Sequence, residues 1–89
     1  MIRFELYPGF TRAYKKRIAQ NSKLRKHVDE RIAMFQANPQ NPLLHDHPLK
    51  GDNLGYRAFS ASGDMRIVYF MEDDIAYFVD IGTHNQVYK

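Results

Sequence analysis

The chain contains no cysteine. That absence excludes disulfides, thiolate nucleophiles and Cys-type zinc sites, and it suits a reducing cytosol. No apolar run approaches the ~18 residues that a membrane span requires. The N-terminal stretch is charged where a signal peptide would carry an apolar core. The expectation is a cytoplasmic protein with no membrane partner. A glycine-rich phosphate loop, a Gly-x-Ser-x-Gly elbow and a Cys/His nucleophile pair are also missing, so those three routes to chemistry are closed. No internal repeat and no second domain is visible in the sequence. Its 89 residues are expected to form one domain spanning 1–89, of a size that buries about 60–65 % of its unfolded surface.

What is present is unevenly charged. Residues 1–31 hold nine Lys/Arg against three Asp/Glu, whereas residues 32–89 hold four against seven, so the net +3 conceals a basic first third. A basic half of that size can bind a polyanion, because each neutralised phosphate releases counterions. The same lysines would equally serve as the solvated faces of two helices.

Ile2-Arg3-Phe4-Glu5-Leu6 alternates apolar and charged residues, which predicts a strand with one buried face. After Tyr7-Pro8-Gly9, the residues Phe10, Ala13, Tyr14 and Ile18 recur at helical spacing. Asn21-Ser22 breaks the pattern, with Ser22 as the expected cap of a second helix. Leu24, Val28, Ile32 and Phe35 form that helix's apolar stripe, and Arg31 is placed on its solvated side. The two helices should lie as a hairpin across one sheet face. Asn38-Pro39-Gln40-Asn41-Pro42 then ends helical structure. Residues 38–54 read as one long, ordered loop, anchored by Leu43 and Leu44. Three strands follow. Met65, Ile67 and Tyr69 alternate with Arg66, Val68 and Phe70, Ser62-Gly63-Asp64 supplies a turn, and Glu72-Asp73-Asp74 forms a hairpin tip before Ile75–Val79. The second and third of these strands should be central. The predicted class is α+β: an N-terminal strand, a two-helix hairpin, then a three-stranded antiparallel unit completing one four-stranded sheet.

His27 lies mid-helix among lysines, whereas His45, His47 and His84 fall on loops flanking the sheet, near Lys50, Arg57 and Arg66. Imidazoles with cations around one pocket are what metal-free RNA cleavage needs. One group takes the 2′-hydroxyl proton, another protonates the departing 5′-oxygen, and cations stabilise charge on phosphorus. The bland alternative is a set of surface histidines and salt-bridging arginines. His45-Asp46-His47 also resembles a metal-binding tripeptide, with His84 or Asp80 as further ligands, but His-x-His is a short signal, and no metal or cofactor is expected. The aromatic residues default to core packing, with Tyr88, beyond the last strand, as the exception.

His47-Pro48-Leu49-x-Gly51, Gly55-Tyr56-Arg57-Ala58-Phe59, Asp64, and Ile81-Gly82-Thr83-His84 with a terminal aromatic together resemble the RelE/ParE toxin superfamily, in particular its YafQ-like mRNA interferases. The resemblance covers essentially the whole chain. It implies a toxin that cleaves mRNA in the ribosomal A site and is neutralised by a co-expressed antitoxin. His47, Asp64 and His84 match the family's histidine, acidic and C-terminal histidine positions, and Tyr88 matches its terminal aromatic, usually Phe. Arg66 matches a phosphate-contacting strand arginine, completing the catalytic set. Tyr88, Arg57, Lys50 and Ser60 are the expected substrate-binding residues. Lys15, Lys16, Arg17, Lys23 and Lys26 are the expected ribosomal RNA contacts. Gly82 is expected to let the backbone turn His84 toward the cleft. The departure is Ser60, where the YafQ pattern has a histidine. A serine hydroxyl is a poor proton acceptor near neutral pH, so the identity of the base stays open. So do a ParE-like gyrase inhibitor, which needs no acid–base pair, and a catalytically weakened relative.

Overall fold

The computed structural model describes residues 1–88. In chain order its elements are β1 (Arg3–Leu6), α1 (Pro8–Arg17), α2 (Ser22–Ala37), β2 (His47–Pro48), β3 (Arg57–Ser62), β4 (Met65–Glu72), β5 (Ile75–Thr83) and α3 (His84–Val87). They form a five-stranded mixed sheet ordered β1-β5-β4-β3-β2. β1 runs parallel to β5, and the other neighbours are antiparallel. As expected, the second and third of the late strands, β4 and β5, lie inside the sheet.

The sheet has one strand more than the sequence suggested. Within the long connection, His47 and Pro48 pair with Ala58 and Arg57 as an edge strand, and Leu49 N–H donates to the Tyr56 carbonyl at 2.9 Å. A two-residue pairing leaves no periodicity to read, and Pro48 is tolerated because an edge position needs no ladder donor on one side. The rest of the connection is ordered by short turns at Pro42–Leu44 and Gly51–Asn53. Leu44 is fully buried, but Leu43 is 56 % exposed, so one of the two expected leucine anchors holds.

Pro8 opens α1, and Lys15, Lys16 and Arg17 occupy its last turn, where positive charge complements the helix dipole. The cap of α2 is Asn21 rather than Ser22: Asn21 Oδ1 accepts the Leu24 N–H at 3.0 Å. Asn38 ends α2 just ahead of Pro39. At the β4–β5 hairpin both Asp73 and Asp74 take left-handed φ, +52° and +64°, as a tight two-residue hairpin turn requires.

The helices cover one sheet face. Phe10, Ile18, Val28 and Phe35 pack there against Phe59, Ile67, Tyr69, Phe78 and Ile81. Phe35 stacks on Phe59 at 4.5 Å. The alternation in β4 sends Val68 to the opposite face, where it joins Leu49 and Ala58 in a smaller cluster completed by Tyr56, Val79, Val87 and Tyr88. That second cluster is the floor on which the site is built. No helix among the described residues is long and apolar enough to cross a membrane.

Candidate functional site

A cleft of about 320 Å³ opens over the smaller cluster, lined by His47, Pro48, Leu49, Lys50, Asn53, His84 and Tyr88. Its two walls come from distant parts of the sequence: the mid-chain edge strand β2 with the turn after it, and the later α3.

On the first wall, His47 is exposed on β2, and its ring is oriented by the backbone. Nδ1 lies 2.8 Å from the His45 carbonyl oxygen. A carbonyl can only accept, so Nδ1 carries the proton, and a neutral ring then keeps its lone pair on Nε2. His45 sits in the left-handed region at φ +49°. Beside it Asp46 turns inward, its side chain 12 % exposed, pairing with Arg57 Nε at 3.3 Å. The Tyr69 hydroxyl donates to Asp46 Oδ2 at 2.7 Å. Burial, reinforced by that carboxylate, pushes the Tyr69 hydroxyl far above the ordinary tyrosine range. Asp46 thus pins the loop that presents His47.

The second wall is α3. Thr83 caps it, with Gln86 closing the reciprocal capping box, and Gln86 Oε1 accepts the Thr83 N–H at 2.8 Å. His84 is exposed at its start. The His84 ring meets the Tyr88 ring edge to face at 4.5 Å, and Tyr88 packs into the apolar floor. The Tyr88 hydroxyl is buried and has no hydrogen-bond partner among the described residues. Burial raises its pKa, and the positive charge of Arg66 works in the other direction. Gly82 does not turn the chain as expected, since it lies within β5. What it supplies is space: a Cβ there would sit 2.6 Å from Arg17 Nη1 and 2.7 Å from Gln86 Oε1.

The fold therefore brings His47, Lys50, His84 and Tyr88 to one cleft, while Arg66 does not line it and acts on the Tyr88 hydroxyl through its charge. Arg66 is half-buried, donates to the Gly63 and Met65 carbonyls at 3.1 and 3.2 Å, and lies across from Ser60 and Gly82 in the ladders. Asp64 is exposed on the turn before β4; because Met65 pairs with Thr83, it shares the sheet end with His84 without lining the cleft.

Four expectations need correction. Arg57 is held by Asp46 and borders a different hollow with His45. Ser60 is 8 % exposed, so it supports the sheet beneath the site instead of facing a substrate. Arg17 is not a free surface cation: it bridges to Asp80 at 3.4 Å and donates to the Ile81 carbonyl at 2.8 Å. Arg31, read as solvated, likewise donates to the Leu43 and Ser60 carbonyls at 2.8 and 3.4 Å. Lys15, Lys16, Lys23 and Lys26 remain exposed, as does His27. His45 and Asp46 border that second hollow while His47 lines the cleft, and the described residues contain no cluster of three or more metal-ligating side chains.

The same architecture occurs in a YoeB/ParE toxin from Agrobacterium tumefaciens, with a TM-score of 0.74 at 18 % identity over 93 % of this chain and 99 % of that one. The fold class is thus that of the RelE/ParE toxins. Within it the chain belongs to the YafQ family, bacterial toxins of type II toxin–antitoxin systems, whose family model matches residues 2–89. It also resembles a chain of the E. coli DinJ–YafQ toxin–antitoxin complex, with a TM-score of 0.77 and 22 % identity over 100 % of both chains. A copper-bound mutant toxin from Helicobacter pylori gives a TM-score of 0.75 at 21 % identity, over 99 % of this chain and 100 % of that one. No curated protein matches the sequence.

Proposed function

We propose that this toxin works as one RelE-like domain over residues 1–89, in the cytoplasm, as a ribosome-dependent endoribonuclease that cuts mRNA in the ribosomal A site and so stops translation. The observation that carries this reading is the meeting of His47 and His84 at one cleft from distant parts of the chain. His47 Nε2 takes the proton from a 2′-hydroxyl, and the freed oxygen attacks the adjacent phosphorus. The bond to the 5′-oxygen breaks as protonated His84 supplies that oxygen with its proton, leaving a cyclic phosphate. Lys50 and Arg66 oppose the charge that accumulates on the phosphoryl oxygens. Asp64 helps orient the substrate strand at the same end of the sheet. Tyr88 holds His84 by its ring and offers a stacking surface to a base. Exposed lysines on α1 and α2 dock on ribosomal RNA, where phosphate contacts position without reading sequence.

E. coli YafQ is held by DinJ in its complex, and by that likeness a cognate antitoxin neutralises this chain. The test is translation in a purified system followed by primer extension. Cuts in mRNA that require ribosomes are expected. Trapped DNA gyrase breaks without mRNA cuts would replace this reading with a ParE-like one.

A further inference from the structure

We propose that Arg17 is a positioning residue: it fastens the end of β5 to the end of α1 and so sets the aim of His84. The inference rests on the ribonuclease reading above.

A helix as short as α3 cannot hold itself together, since a first turn fixes several residues for a single hydrogen bond. It closes with the Tyr88 N–H bond to the His84 carbonyl at 2.9 Å. Its orientation must therefore be imposed by what lies before it and beneath it. Tyr88 anchors it from beneath. Before it come Asp80, Ile81 and Gly82, and these converge on one guanidinium.

Arg17 Nη1 donates to the Ile81 carbonyl at 2.8 Å and pairs with Asp80 Oδ1 at 3.4 Å. The same Asp80 oxygen accepts the Ile81 N–H at 2.8 Å. The carboxylate thus ties the guanidinium and the strand backbone at one point. The next residue, Gly82, leaves open the space that Arg17 Nη1 and Gln86 Oε1 approach, and Gln86 is the residue that closes the cap of α3. Guanidinium, strand end and helix cap therefore form one contiguous support ending at His84. The Arg17 side chain is 23 % exposed and Asp80 35 %, so the ion pair alone is partly screened by solvent. The directed bond to the Ile81 carbonyl gives the arrangement its geometry.

A small misplacement of a reacting group costs up to about 10²-fold in rate. Arg17→Ala should therefore slow single-turnover cleavage of ribosome-bound mRNA by about 10–100-fold at saturating ribosomes. The half-saturating ribosome concentration and its salt dependence should stay put, because the defect lies in aim and not in docking. Arg17→Lys, which keeps a donor and the charge, should recover part of the rate. Gly82→Ala fills the gap from the other side with Arg17 intact and should slow cleavage in the same way.

A second readout needs no activity. In NMR spectra of the free protein, through-space contacts between the His84 and Tyr88 rings should be strong in wild type, weakened in Arg17→Ala and restored in Arg17→Lys, while core methyl signals hold. An unchanged maximal rate with a raised half-saturation and a flatter salt slope would overturn the proposal and make Arg17 an RNA contact. If wild type makes no ribosome-dependent cuts, the enzyme reading fails, and the ring contacts still judge the support. Should Arg17→Ala not fold, Arg17→Lys and Gly82→Ala decide: undisturbed ring contacts and wild-type rates in Gly82→Ala would overturn it.

Discussion

His47 donates its Nδ1–H to the carbonyl oxygen of His45 at 2.8 Å, and that bond selects which ring nitrogen is left basic. The backbone thereby does for His47 what a carboxylate does for many catalytic histidines: it fixes a tautomer. His47→Asn should keep a donor toward the His45 carbonyl while removing the base. His84→Gln should keep bulk and hydrogen bonding while removing the acid. Each is expected to lower single-turnover cleavage by about 10²–10⁴-fold. Both positions are exposed, so melting temperature and antitoxin binding should stay near wild type. Wild-type cutting by either folded variant would remove that residue from the acid–base pair.

Periodicity carried most of the fold. The alternation of Met65 to Phe70 and the stripe Val28–Ile32–Phe35 put these side chains on the correct faces. What escaped were features without a period. β2 is a two-residue pairing, and α3 is announced by one signal, Thr83-x-x-Gln86, which has the form of a capping box. The roles of Arg17 and Arg31 were hidden because their partners are distant in sequence: the bonds from Arg17 to Ile81 and from Arg31 to Ser60 span 64 and 29 residues. In sequence an arginine beside lysines looks solvated, and the chain's folding decides whether a carbonyl waits for it. Asp46 escaped for the same reason, since its inward turn depends on Tyr69, 23 residues away.

The exposed lysines of α1 and α2 offer a test of docking. Replacing Lys15, Lys16, Lys23 and Lys26 together by Gln should weaken ribosome binding. It should also reduce the log–log salt slope by roughly 0.7–0.9 for each phosphate that is no longer neutralised. Exposed substitutions cost little, within about 0.5 kcal/mol each, so the fold should persist. Identical binding across a salt series would return these lysines to the role of a solvated face.

Tyr69 predicts how stability depends on alkaline pH. Burial first, then Asp46, raises its folded-state pKa above the ordinary value of 10.0. A raised folded pKa means that the native state holds the proton more tightly. Its contribution is fully present below about pH 10 and is lost as pH rises through the higher folded value. Denaturant midpoints should fall above about pH 10, with Tyr69 ionising only as the chain unfolds. Tyr69→Phe should flatten that alkaline fall. At neutral pH it should cost about 1–3 kcal/mol, because the buried Asp46 loses a donor. An alkaline profile identical to wild type would show that Tyr69 is not the group responsible.

Tyr88 separates a packing role from a hydrogen-bonding one. Its ring lies against His84 at 4.5 Å and against the apolar floor, whereas its hydroxyl is buried without a partner among the described residues. A buried polar atom left unpaired costs free energy that an apolar replacement avoids. Tyr88→Phe should therefore raise stability, by up to about 1 kcal/mol, and leave the ring against His84 in place. Tyr88→Ala removes the ring, the main anchor of α3, and should destabilise by about 2–3 kcal/mol, below the range for a fully buried aromatic because Tyr88 is only half-buried. It should also slow cleavage, because His84 loses the surface that orients it. The measurement is equilibrium denaturation of the three proteins beside their single-turnover rates at saturating ribosomes. If Tyr88→Phe is less stable than wild type, the hydroxyl has a partner in solution. If it is stable but cuts slowly, the hydroxyl meets the RNA, and the role of Tyr88 extends from holding His84 to binding the substrate.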